Sequence, residues 1–97
     1  MEITGNCEGT VLELALKGRL DTLTAPKLEE KLGTLSGVET LVLDFAALEY
    51  ISSAGLRVLL SAQKAMNKQG RMIIRHVCDD IMEVFDITGF TDIITIE

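Results

Sequence analysis

Apolar residues recur along this chain in two rhythms, one of period two and one of three to four. In Thr10–Leu16, TVLELAL, Leu12, Leu14 and Leu16 fall on one side of an extended chain, with Val11, Glu13 and Ala15 on the other. That alternation predicts a half-buried strand. Glu2–Asn6 reads as a shorter strand paired with it through a turn around Glu8 and Gly9. Ala25, Leu28, Leu32 and Leu35 then repeat at helical spacing. Pro26 suits a first helical turn, Thr24 an N-cap, and the region of Gly33 and Gly37 a helix end. Val38–Phe45, VETLVLDF, predicts a strand with a buried apolar centre.

A second helix is predicted from about Ser53 to Gln69, stopped by Gly70, with Leu56, Leu59, Leu60 and Met66 on or near one face. Val58, Ala62 and Ala65 form a stripe of smaller residues. The stripe suits either a second buried face or a shallow patch for a partner helix. Arg71–Val77 reads as a strand. Asp79 and Asp80 open a third helix at its positive end, Ile81, Val84 and Phe85 face inward from it, and Gly89 closes it. Asp92–Ile96 reads as a last strand. The order β-β-α-β-α-β-α-β predicts an α/β fold in a single domain over residues 1–97. It implies a small mixed, largely parallel sheet with an N-terminal antiparallel hairpin and three helices joined by right-handed crossovers. The helices are expected to cover one face more completely than the other.

Composition narrows the function classes. With 97 residues, 47% of them apolar, the chain has enough for one small core. No apolar run approaches a membrane span, and MEITGNCEGT lacks the basic-then-apolar order of a secretory signal, so a cytoplasmic location is expected. The net charge of −6 disfavours nucleic acid and anionic membranes, and suits a basic protein partner. Cys7 and Cys78 match no metal spacing and are expected to be reduced and half-buried. Met66, Met72 and Met82 read as gap fillers in the core.

Catalytic chemistry finds little support. His76, the lone histidine, falls in a predicted strand with no evident carboxylate companion, and a structural or surface role is expected for it. No Walker A, GxGxxG, HExxH or GxSxG run occurs. Asp21 and Asp44 sit at predicted strand ends, where open α/β sheets place their sites, and capping or charge complementarity is favoured there over a metal. A nucleophilic Ser53 would need an activating base, and the sequence offers none. No enzyme, no cofactor and no metal is therefore expected.

The stretch YISSAGLRVLL, residues 50–60, remains. Two serines and a glycine stand between a strand and a helix. A serine there can cap the helix by accepting from its free first-turn N–H groups. The same place can also present a hydroxyl for modification, because unpaired N–H groups and the helix dipole tolerate a phosphate. A partner docked on that end would then meet new charge and bulk.

The longer run DFAALEYISSAGLRVLL, from Asp44 to Leu60, resembles the signature of STAS domains, specifically bacterial anti-sigma factor antagonists. Two further stretches support it in the right order: Gly18-Arg-Leu-Asp21, followed by Ala25 and Pro26, and Phe85-Asp-Ile-Thr-Gly-Phe90. The resemblance implies that the unphosphorylated protein binds an anti-sigma factor that is also a serine kinase, freeing a sigma factor. Phosphorylation would switch it off and a PP2C-type phosphatase restore it. It would be a substrate rather than an enzyme, and a monomer when free. The aligned phosphoacceptor is Ser53, with Ser52 as second candidate, because position 52 carries Ser where familiar antagonists carry Asp. The implied docking face comprises Asp21, Thr22, Ser52, Ser53, Gly55 and Arg57. Arg57 suits an acidic residue of the partner, or a phosphate on Ser53 at i,i+4 spacing. A second reading from the same resemblance is a stand-alone STAS subunit regulating an ABC-type lipid or solvent-tolerance transporter.

Overall fold

Leu14, Leu16 and Leu20 are all buried along one extended segment, as the alternation requires. In the computed structural model, which describes residues 1–33 and 35–97, that segment is β2. The order is β1 (Glu2–Glu8), β2 (Val11–Leu20), α1 (Ala25–Leu32), β3 (Thr40–Ile51), α2 (Ser53–Asn67), β4 (Arg71–Arg75), α3 (Asp79–Thr88) and β5 (Thr95–Ile96). The sheet order is β1-β2-β3-β4-β5, with β1 antiparallel to β2 and every other pair parallel. Since each parallel neighbour is also the next strand in the chain, right-handed crossovers place all three helices on one face. The core lies between that face and the helices. Leu41, Leu43 and Phe45 of β3, Met72 and Ile74 of β4, Leu59 and Met66 of α2 and Phe85 of α3 form its centre. Val42 and Ile73 point to the other face, buried but outside this cluster.

Several boundaries differ from the sequence expectation, each for a physical reason. β3 does not end at Phe45 but runs to Ile51, because it takes two extra residues against β2, between Asp44 and Ala47 and between Leu48 and Tyr50. These bulges break the period of two, so Leu48 and Ile51, three apart, both turn inward. The Asp44 carboxylate accepts from the Ala46 N–H at 2.9 Å inside the first bulge. Leu35, read as part of the first helix, lies beyond its end and is buried in the loop. β4 stops at Arg75, where His76 turns into the left-handed region (φ 59°). The last strand shrinks to Thr95–Ile96, because Phe90–Asp92 forms a 3₁₀ turn whose Phe90 stacks on Phe85. Both cysteines are free, as expected, but exposed rather than half-buried. Val58 and Ala62 are buried, with α1 packed beside α2, so the small-residue stripe is a second buried face.

Candidate functional site

Two strand ends are stitched together at the carboxyl edge of the sheet. The bulges carry β3 up beside the end of β2, where the Ser52 N–H donates to the Leu20 carbonyl at 2.9 Å. Asp21 and Ser53 each stand one residue beyond that bond. This brings the two sequence-predicted stretches, GRLD and ISSAGL, to one place.

Asp21 organises its own turn. Its Oδ1 accepts from the N–H groups of Leu23 (3.0 Å) and Thr24 (3.2 Å). The Thr24 hydroxyl accepts from the Asp21 N–H at 2.8 Å and donates to the Arg19 carbonyl at 2.7 Å. Thr24 occupies the cap position of α1 but makes no side-chain cap; Asp21, three residues earlier, closes the turn that leads into the helix. Partial burial works to raise the Asp21 carboxyl. The hydrogen bonds from Leu23 and Thr24, with the Arg19 charge nearby, outweigh it and hold the group below its ordinary value.

The two serines have different employment. Ser52 is the N-cap of α2: it is extended, half-buried, and its Oγ accepts from the Gly55 N–H at 3.4 Å. Ser53 is the first helical residue, exposed, and its hydroxyl makes no hydrogen bond among the described residues. The N–H groups of Ser53 and Ala54 open the helix and have no intrahelical acceptor, which leaves the ground around that hydroxyl electropositive.

Gly55 was read as part of the docking face, but it is buried. A Cβ there would lie 2.7 Å from Leu20 Cγ and 3.0 Å from Ile51 Cγ1. Its contribution is to let α2 close onto the stitched strand ends, not to offer a surface. Thr22 and Arg57 are exposed and line one hollow between α1 and α2, with Ala25, Pro26, Glu29, Ala54, Val58 and Ser61. All six predicted residues therefore gather at this edge, five with side chains accessible to a visitor.

The STAS domain family matches residues 1–97. The chain belongs to the STAS-domain family. BtrV of Bordetella bronchiseptica is 35% identical over 96 residues, covering 96% of this chain and 83% of that protein. The anti-sigma-B factor antagonist of Listeria monocytogenes is 33% identical over 89 residues, 89% of this chain and 78% of its own. In three dimensions the Bacillus cell-fate determinant SpoIIAA in its phosphorylated form matches with a TM-score of 0.78 at 19% identity, over 99% of this chain and 91% of that one.

Around the serines, this STAS domain carries groups that the sequence did not single out. The Arg19 guanidinium lies over the Tyr50 ring, 4.1 Å from its centroid, and 3.8 Å from Asp21 Oδ2. Arg19 and Tyr50 are register partners across β2 and β3, so only strand pairing reveals them. Leu23, between two threonines outside any helical or strand period, is 86% exposed. An isolated leucine in a turn was the signal for it.

A second polar pair lies on the other side of the STAS sheet, beside the first bulge. His76, expected to lack a carboxylate companion, places Nδ1 3.0 Å from Asp44 Oδ1. The residues are 32 apart in sequence and meet because Asp44 and Arg75 are register partners. The Asp44 carboxyl is held below its ordinary value of 3.8, first by the Ala46 N–H, against partial burial, and then by His76 and the Arg75 charge. A carboxyl with a depressed folded value stabilises the fold above the unfolded value and loses that contribution as pH falls through the folded one. The urea midpoint is therefore expected to drop on acidification below pH 3.8, and to drop less in Asp44→Asn. Parallel midpoint curves for the two proteins from about pH 5 to about pH 2, a window of roughly three pH units that brackets the unfolded carboxyl value, would contradict this assignment.

Proposed function

We propose that this STAS domain is an anti-sigma factor antagonist, binding an anti-sigma factor with serine-kinase activity through the edge that carries Ser53 and released from it by phosphorylation there. The observation that carries the proposal is the division of labour between the serines. Ser52 is used by the fold; Ser53 is exposed, uncommitted and at the electropositive end of a 15-residue helix. Phosphorylation adds about 1.5 to 2 negative charges at neutral pH, and the helix terminus tolerates them while a docked partner does not. The antagonist name of the Listeria relative supports the same reading, and favours it over a transporter subunit. The protein is then a cytoplasmic, monomeric substrate, restored by a PP2C-type phosphatase.

Incubation with the cognate kinase and ATP, followed by peptide mass spectrometry, is expected to place a single phosphate on Ser53. Ser52→Ala should still be phosphorylated while losing about 1 kcal/mol of stability with its cap. Modification confined to Ser52, or retained in full by Ser53→Ala, would remove the switch from this residue.

A further inference from the structure

The hollow between α1 and α2 has a shape and a charge pattern that the switch serine alone does not require. Its volume is about 410 Å³. Small apolar side chains line it, Ala25 and Pro26 from α1 with Ala54 and Val58 from α2. Glu29 borders it on the α1 side and Arg57 on the α2 side, both exposed. Among the described residues neither forms an ion pair, with each other or with another side chain. Two opposite charges border one apolar trough, both exposed and in no ion pair among the described residues, and are available to a visitor. The trough is continuous with the proposed docking edge, since Thr22 and Arg57 belong to both and Ala54, which lines it, adjoins Ser53.

We infer that this groove seats an amphipathic segment of the anti-sigma partner. The segment places an apolar side chain between the helices, a basic residue toward Glu29 and an acidic one toward Arg57. The inference rests on the docking reading above and deepens it. An apolar anchor in a pocket supplies affinity, and the flanking charges fix orientation and exclude partners of reversed pattern. The position of Arg57 gives the groove a second property. It lies one helical turn from Ser53 at i,i+4, so a phosphate on Ser53 competes with the partner's acidic residue for the same guanidinium.

The test uses the purified serine kinase of the same genome that phosphorylates the wild-type protein. Ser61, exposed and one further turn along α2, lies at the groove but outside the serine edge. Ser61→Tyr fills the trough and Glu29→Lys reverses one wall. Each is expected to weaken binding about tenfold with an unchanged melting curve, while Ser61→Ala stays within about twofold of wild type. If both groove variants bind like wild type while Ser53→Asp is impaired, the groove inference is overturned and the switch survives. If Ser53→Asp also binds like wild type, the docking reading fails and takes the groove with it.

Discussion

Gly70→Ala is expected to lose about 4 kcal/mol or more of stability, a large part of what a domain of this size has. A Cβ at this position would lie 1.8 Å from the Glu39 carbonyl oxygen and 2.7 Å from its carbon, both backbone atoms that cannot rotate away. Gly70 joins α2 to β4, and its own N–H donates to the Met66 carbonyl at 2.7 Å. The next residue, Arg71, donates to the same Glu39 oxygen at 2.9 Å and begins the pairing of β3 with β4. Relieving the clash means moving β4 off β3 at its first rung, and Met72 and Ile74 in the core move with it. For a chain of this length the melting temperature should fall by roughly 20 °C. Gly33→Ala is the comparison, because a Cβ there meets nothing nearer than 3.2 Å, at the end of a helix in ordinary helical conformation. Thermal unfolding followed by circular dichroism reads both, and a Gly70→Ala protein melting within a few degrees of wild type would disprove the close approach.

Ser53→Asp is expected to divide binding from stability. The carboxylate sits at the first position of α2, where the helix dipole makes it neutral to favourable by about 0.3–1 kcal/mol. At the docking edge it brings a charge to a place where a docked partner fits a small neutral hydroxyl. Desolvating it there costs about 1.4 to 2.8 kcal/mol, which is a tenfold to hundredfold loss of affinity. Unfolding should therefore shift slightly upward or not at all, while the dissociation constant for the kinase rises. Ser53→Ala separates charge from hydroxyl: it keeps the small size, binds within about twofold of wild type and accepts no phosphate. Calorimetric titration of the three proteins against one kinase preparation distinguishes these outcomes. Loss of binding in Ser53→Ala as large as in Ser53→Asp would mean that the hydroxyl itself, rather than added charge, governs docking.

Local physics was legible in the chain before any coordinates. The period-two leucines of β2, the helical repeat of α2 from Ser53, which ends at Asn67 a few residues before Gly70, the acidic opening of α3 and its left-handed close at Gly89 all follow from interactions within a few residues. Those elements in that order leave few topologies, and the observed sheet is one of them. The serines between strand and helix were recognisable for the same reason.

Contacts between distant stretches were not legible, because they depend on register. Two extra residues in β3 bring Ser52 against Leu20, set Arg19 over the Tyr50 ring and turn Leu48 and Ile51 inward; in sequence they appear only as a break in alternation. Pairing of Asp44 with Arg75 supplies His76, one residue past the end of β4, with a carboxylate from β3. Which serine caps and which stays free, and whether Gly55 faces a partner or the core, depended on how closely α2 settles onto the strand ends, a distance set by packing across the whole sheet. Short-range preferences thus chose the elements of this protein, and long-range register and close packing chose the chemistry of its surface.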